Sequence, residues 1–229
     1  MNSPCNIDKT LPRDARRSAT FRHLLHAHGL ASKKVLDVGC GFGEHLACFG
    51  QGSIGITSAA PEVAHGSEAG LAIRLGNAET IDEVTIGTFD AIWANNIFEH
   101  VLSPHGFLMK LKTHAERQTL LILGVPVVPK IVSLLRLRKF RGALATNHIN
   151  FFTAHSLRLT VERAGWDIVA LRPFIFRSAL LDRLCAPLAS HLYVVARNNP
   201  AFTYPKKKFD EWKDIPHYDW FLRKTGQKH

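Results

Sequence analysis

Methionine, tyrosine and cysteine are scarce in this chain of 229 residues, with two, three and four of each. Cys5, Cys40, Cys48 and Cys185 are scattered and no C-x-x-C pair occurs. That pattern excludes a disulfide frame or a zinc knuckle and reads as reduced thiols, so no metal is expected. No apolar run approaches the ~18–20 residues a membrane span needs. Met1 to Thr10 lacks the charged-then-apolar pattern of a signal peptide, which sets the expectation of a cytoplasmic protein. G-x-S-x-G, H-E-x-x-H and G-x-x-x-x-G-K-[ST] are all missing, which leaves hydrolase, zinc-peptidase and nucleotide-triphosphatase readings without support. Repeats and Pro/Gly/Ser linkers are missing too. A chain of this length is one domain, able to bury roughly 70–75% of its unfolded surface.

What is abundant is positive charge, and it is unevenly placed. The formal net charge is +10. Residues 1–34 carry seven bases and two acids, residues 35–126 four and ten, and residues 127–229 eighteen and seven. A uniformly basic chain suggests nucleic acid; an acidic middle between basic ends asks for a different explanation.

Short apolar runs alternate with helical patterns, which predicts a mostly parallel sheet with helices on both faces. The strand candidates are 34–38, 53–57, 71–75, 89–94, 119–125, 166–171 and 191–196; the first five are continuous apolar runs, as in strands covered on both faces. Helices are expected over 13–28, 43–49, 61–69, 105–116 and 155–164.

The first strand runs into Asp37-Val38-Gly39-Cys40-Gly41-Phe42-Gly43-Glu44. A strand, then G-x-G-x-G, then a helix brings backbone close to a ligand where any Cβ would collide. Three glycines alone fit a tight strand–helix turn as well. The dinucleotide version wants glycine where Glu44 stands, and Asp37 would repel phosphate. An acidic rim suits a cationic ligand.

These residues resemble the class I S-adenosylmethionine-dependent methyltransferases, in particular the small-molecule branch that includes quinone-biosynthesis enzymes and the type 11 and type 23 families. Val35-Leu36-Asp37-Val38-Gly39-Cys40-Gly41 is similar to their first motif. Gly76-Asn77-Ala78-Glu79, Phe89-Asp90-Ala91-Ile92 with Phe98-Glu99-His100-Val101, Leu121 to Pro126, and Asn147 to Thr153 with Ala164-Gly165-Trp166 follow in the family's order. The resemblance covers about residues 30–197. It implies a Rossmann-like α/β fold, a seven-stranded mostly parallel sheet with helices on both faces and an antiparallel last strand. Residues 1–199 would form the methyltransferase domain, with 1–30 an N-terminal helical cap and 127–150 a substrate-covering insertion. Residues 200–229, an aromatic and basic tail, would pack on the domain or on an oligomer partner.

The cofactor that the resemblance implies is S-adenosylmethionine, whose sulfonium and ammonium suit the acidic middle segment. Gly39, Cys40, Gly41 and Gly43 would lie along its methionine portion, and Asp37 would pair with the ammonium. Asn77 and Ala78 would border the adenine, and Asn95 would face the transferable methyl. Relatives usually end the second strand with an acid that accepts both ribose hydroxyls. Thr57 stands there in this chain, so either Glu62 or another group reaches back, or affinity is reduced, or the domain only binds.

Methyl transfer to a hydroxyl needs a base. His148 and His100 are the expected catalytic residues, with Glu99 and His105 as further candidates. The expected acceptor is a small molecule methylated at oxygen, in a biosynthetic or tailoring pathway. Lys130 to Arg141 holds five bases and no acid; it reads as a solvated helix, as a patch for an acidic or sugar-containing acceptor, or as a weak contact with anionic lipid or RNA. Asn95-Asn96-Ile97-Phe98 stands where nucleic-acid amino-methyltransferases carry Asn-Pro-Pro-Tyr, which disfavours a nucleic-acid substrate. A homodimer, an inactive cofactor-binding subunit and an RNA-directed enzyme remain the alternatives.

Overall fold

The computed structural model describes residues 18–131, 143–176 and 178–227. Seven strands form one sheet in the order β3-β2-β1-β4-β5-β7-β6. They are β1 (Val35–Val38), β2 (Ile54–Thr57), β3 (Ile73–Leu75), β4 (Phe89–Asn95), β5 (Ala115–Pro126), β6 (Trp166–Arg172) and β7 (His191–Asn198). Strands β1 to β5 pair in parallel, and β7 runs antiparallel to both β5 and β6. The chain therefore reverses once, at the strand lying second from the edge.

Strand alternation sorts the core into two layers. Leu36, Val38, Ile92, Ala94, Leu121 and Leu123 face helices α3 (Pro104–Leu111) and α4 (Ala154–Arg163). Val35, Ala91, Trp93, Ile122, Tyr193 and Val195 face α1 (Ala19–Ala27), which buries Phe21, Leu24 and Leu25 against them. The helix starts are capped as the residue types dictate. The Ser18 hydroxyl accepts from the Phe21 amide, the Ser103 hydroxyl from the Gly106 amide, and Thr153 with Ser156 makes a reciprocal capping box before α4. On the far side of the glycine loop, α2 (Ala60–Glu68) starts with Pro61 in its first turn.

Three expected elements differ from the sequence reading. Residues 43–49 form only a 3-10 turn at Leu46–Cys48, because Gly39, Gly41 and Gly43 all have positive φ and carry the chain around a loop first. Strand β3 begins at Ile73, two residues late, since the Leu71 amide is still turned back to the Gly66 carbonyl. The helix expected to reach 116 ends at Leu111. His114 is buried there, its ring nitrogens bonded to the carbonyls of Gly87 and Ile81 at 3.0 and 2.7 Å, and β5 starts one residue later. Residues 13–17 of the expected N-terminal helix, and residues 132–141 of the basic run Lys130 to Arg141, lie outside the described residues.

Helix α5 (Ala179–Cys185) stands between β6 and β7, and beyond β7, α6 (Lys206–Trp212) and α7 (Pro216–Lys224) lie against the α3 layer. Tyr204 and Leu222 are buried, the Tyr204 hydroxyl is hydrogen-bonded to His105 Nε2 at 2.7 Å, and Lys224 Nζ stands 2.6 Å from the buried carboxylate of Asp82.

Candidate cofactor and acceptor site

Parallel strands leave a crevice beyond their carboxyl ends. Two cavities occupy it. The smaller, about 200 Å³, is walled by Gly39, Gly41, Thr57, Glu62, Asn77 and Ala78. The larger, about 570 Å³, is walled by Asn95, Asn96, His45, His191 and Tyr193 together with Ser18, Pro173 and Ile175. They are chain neighbours across the end of β4, because Asn95 and Asn96 face one and Ile97 the other.

The glycine loop has distinct reasons for each glycine. Gly41 has φ +55°, and a Cβ there would meet nothing within 4 Å, so its open side belongs to the cavity. Gly43 has φ +84°, and its Cβ would come within 2.7 Å of Leu71 and 3.0 Å of Ile73. That glycine serves packing, and neither it nor Cys40 lines either of these two cavities. The Cys40 side chain instead lies over Gly55, where a Cβ would approach its sulfur to 2.6 Å; burial pushes the thiol up to about 12.

Asp37 is 2% exposed and faces the α1 layer beside Trp93. Desolvation raises its carboxyl from 3.8 to about 8. Asp37 lines neither of the two cavities, and a cation brought beside it would offset the cost of ionising it. Thr57 does not stand alone at the end of β2. Its hydroxyl donates to Glu62 Oε2 and accepts from the Ala59 amide at 3.2 Å. Glu62, from the first turn of α2, therefore presents a carboxylate to the cavity wall that Thr57 also forms. Asn77 caps the stretch 78–83, its Oδ1 accepting from the Glu79 amide at 2.9 Å, which leaves its amide nitrogen for the cavity.

At the larger cavity, Asn95 pairs with Gly124 of β5, which in turn pairs with Tyr193 of β7. A Cβ on Gly124 would fall 2.1 Å from Asn95 Oδ1 and 2.6 Å from the Tyr193 ring, so glycine is what lets both side chains lie on this face. Asn95 Oδ1 is buried and makes no hydrogen bond. The wall at Pro173 and Ile175 is fixed by buried Asp182, which accepts from the Ile175 and Phe176 amides at 3.0 Å each and pairs with Arg172 at 3.1 Å.

His100 and His148 line neither cavity. They meet over Glu99, with ring centroids 5.0 Å apart. Each Nδ1 is hydrogen-bonded to a backbone carbonyl, that of Asn147 at 3.1 Å for His100 and that of Ala143 at 3.0 Å for His148. Their Nε2 atoms stand 3.8 and 3.9 Å from Glu99 Oε1. All these atoms lie within 4.8 Å of one another, a spacing a divalent cation accepts. Burial raises the Glu99 carboxyl. The amides of Ile149 and Asn150 donate to the Glu99 carbonyl at 3.1 and 3.0 Å, tying the segment after residue 143 to the end of β4.

His45, Asn96, His191 and Tyr193 were not singled out from the sequence. One signal was available for His191: an antiparallel β7 begins at the end where the parallel strands finish, so its first residue lands at the crevice.

A sheet in this order, with a glycine loop beneath one end of a paired cavity, is that of a Rossmann-like α/β domain. A family profile described as a methyltransferase domain matches residues 11–171, and the chain belongs to that family. Its structural neighbours include methyltransferases described as dependent on S-adenosylmethionine. Among solved structures, the CcbJ methyltransferase of Streptomyces caelestis is similar at 17% identity and a TM-score of 0.61, with 86% of this chain and 93% of that one covered. A methyltransferase from Archaeoglobus fulgidus aligns at 15% and 0.57, covering 80% and 96%. The plantazolicin methyltransferase BamL, solved with a desmethyl analogue and S-adenosylhomocysteine, aligns at 17% and 0.58, covering 81% and 88%. No curated protein sequence matches the chain.

The residues present fit that cofactor. The backbone at Gly41 is open to the smaller cavity, Glu62 presents an acid to it, and the Asn95 carbonyl at the larger one has no partner among the described residues.

Proposed function

We propose that this protein methylates a small molecule at oxygen. The smaller cavity would take the adenosine, with Asn77 and Ala78 beside the base and the Glu62 carboxylate on the ribose hydroxyls. Asp37 would hold the ammonium. The cofactor supplies a methyl group on a sulfonium. This chain's residues orient it, keep water out and handle the acceptor's proton. The observation that carries the reading is the pair of cavities sharing the end of β4, one of a size for a nucleoside and the other for a small acceptor.

Glu62 supports retained cofactor binding despite Thr57, since an acid reaches the same wall by another route; turnover separates an enzyme from an inactive cofactor-binding subunit. No lysine or arginine stands among the described residues walling the larger cavity. An acidic acceptor would have to draw on the basic run around 130–141, most of which lies outside the described residues. Among the described residues, no helix is long and apolar enough to cross a membrane.

Titration calorimetry with S-adenosylhomocysteine tests the first half of this reading, and slow conversion of S-adenosylmethionine to that product the second. Absence of heat and of any thermal shift at millimolar ligand would sink the proposal.

A further inference from the structure

We propose that His191, held by Asn96, is the residue that takes the acceptor's proton, and that the acceptor is an uncharged hydroxyl compound. This rests on the methyltransferase reading above. Three features of the larger cavity converge on this pair.

The first is backbone strain. Asn96 has φ +54°, in the left-handed region that non-glycine residues rarely adopt, asparagine more readily than most. Such strain costs of order 1 kcal/mol or more and persists where surrounding structure holds it. The Asn96 amide is pinned to the Gly124 carbonyl at 3.0 Å, and its side chain is turned into the larger cavity's wall.

The second is the hydrogen bond this conformation makes. Asn96 Oδ1 lies 2.9 Å from His191 Nε2. With Oδ1 accepting, Nε2 carries the ring proton, and Nδ1 is left with its lone pair. The ring packs on Tyr193 at 4.9 Å between centroids. Burial lowers the imidazole to about 4, so the ring is neutral at pH 7 and its Nδ1 lone pair is open to a hydrogen bond from a hydroxyl. The ionisable groups against it are Tyr193, which burial raises to about 12, and His45 across the cavity, which burial lowers to about 4.

The third is what else the walls hold. Asn95 Oδ1 is buried without a partner one residue away, ready to accept a hydrogen bond from a bound ligand. Charged side chains are missing from the described lining, so nothing there would offset a buried carboxylate or ammonium on the acceptor. His45 shares the cavity but is stacked on Phe21 at 4.2 Å and edge-on to Trp93, with no hydrogen bond to set its tautomer. His100 and His148 have their Nε2 atoms turned to Glu99.

In the transfer, the acceptor oxygen forms its bond to the methyl carbon while the carbon–sulfur bond breaks, leaving its electron pair on sulfur. The acceptor's O–H proton passes to Nδ1 of His191 and from there to water. A base placed this way is the third element, beside positioning and water exclusion, that an oxygen acceptor requires.

The test uses the full chain labelled with ¹⁵N-histidine, with phenol as the hydroxyl probe. Ring-nitrogen spectra at pH 7 should show His191 as the Nε2-protonated tautomer, and phenol should move its Nδ1 resonance. Asn96→Gly keeps the positive φ and removes the amide, so the tautomer preference at His191 should be lost. His191→Gln should weaken phenol at least fivefold and leave S-adenosylhomocysteine affinity unchanged. An Nδ1-protonated His191 overturns the proposal, as does a phenol shift confined to His45, His100 or His148, or equal phenol affinity in the Gln variant. The titration is run with and without S-adenosylhomocysteine. Failure of that ligand to bind refutes the methyltransferase reading, whereas the tautomer and the phenol response judge His191 independently.

Discussion

Replacing Glu62 by glutamine removes one charge and little volume from the wall of the smaller cavity, and it probes how this chain manages without an acid at the end of β2. The Glu62 carboxylate already accepts the Thr57 hydroxyl through Oε2. An ionised carboxylate has about four lone-pair sites, so capacity remains for both ribose hydroxyls. Hydrogen bonds to charged groups contribute about 1.5–3 kcal/mol each, against about 1 kcal/mol for neutral ones. Glutamine keeps one carbonyl and turns its amide nitrogen toward either Thr57 or the ribose. The net loss is then about 1.5–3 kcal/mol, or roughly tenfold to somewhat over a hundredfold in affinity at 1.4 kcal/mol per decade. Calorimetry with S-adenosylhomocysteine measures it directly, with free adenine as a control that Glu62 does not touch. Thr57→Ala removes only the hydroxyl that steadies Glu62, so its cost should be smaller, about 1 kcal/mol or fivefold. Affinity within twofold of the native protein in Glu62→Gln would refute the argument that this acid has taken over ribose recognition.

Asp37→Asn should separate stability from binding. The native carboxyl titrates near 8 in the folded protein and near 3.8 in the unfolded chain. Folding therefore holds a proton that the unfolded chain releases, and native stability falls as pH rises through that window. The Asn variant should match the native protein near pH 4 and melt progressively higher than it toward pH 8, while binding S-adenosylhomocysteine more weakly; parallel melting curves against pH would refute the buried-carboxyl argument. Gly43→Ala should destabilise by about 1–3 kcal/mol in urea titration, since its Cβ meets Leu71 and Ile73 at a positive φ. Gly41→Ala meets no neighbour and should cost less stability, but it should lower cofactor affinity by intruding on the cavity. Leu222→Ala, at a side chain 2% exposed in α7, should cost about 2–4 kcal/mol and leave cofactor affinity unchanged; unchanged stability would show that the tail's packing adds nothing to the domain.

The seven strands were legible in the sequence because each contains a short apolar run bounded by turn residues, a pattern that burial on both faces sets for β1, β2, β4 and β7 but not for the edge strands β3 and β6. The loop at Gly39 to Gly43 was legible for the related reason that only glycine tolerates its positive φ angles. The register of β4, β5 and β7 was not legible. Gly124 looked like one more small residue in an apolar strand, yet pairing places it between Asn95 and Tyr193, where any side chain would collide with both.

The same limit separates the histidines. Thirteen of them are equivalent in the sequence, and the motif neighbourhood favoured His100 and His148. Chain crossing brings those two together over Glu99, away from both cavities, while the reversal of β7 carries His191 to the acceptor side. Local sequence thus determined the elements, the glycine loop and the acid at Asp37, because those depend on nearest-neighbour sterics and on periodicity. Which side chains meet across strands, whether Glu62 reaches Thr57, and which imidazole faces the acceptor were decided by tertiary structure, since those distances depend on strand order and register rather than on spacing along the chain.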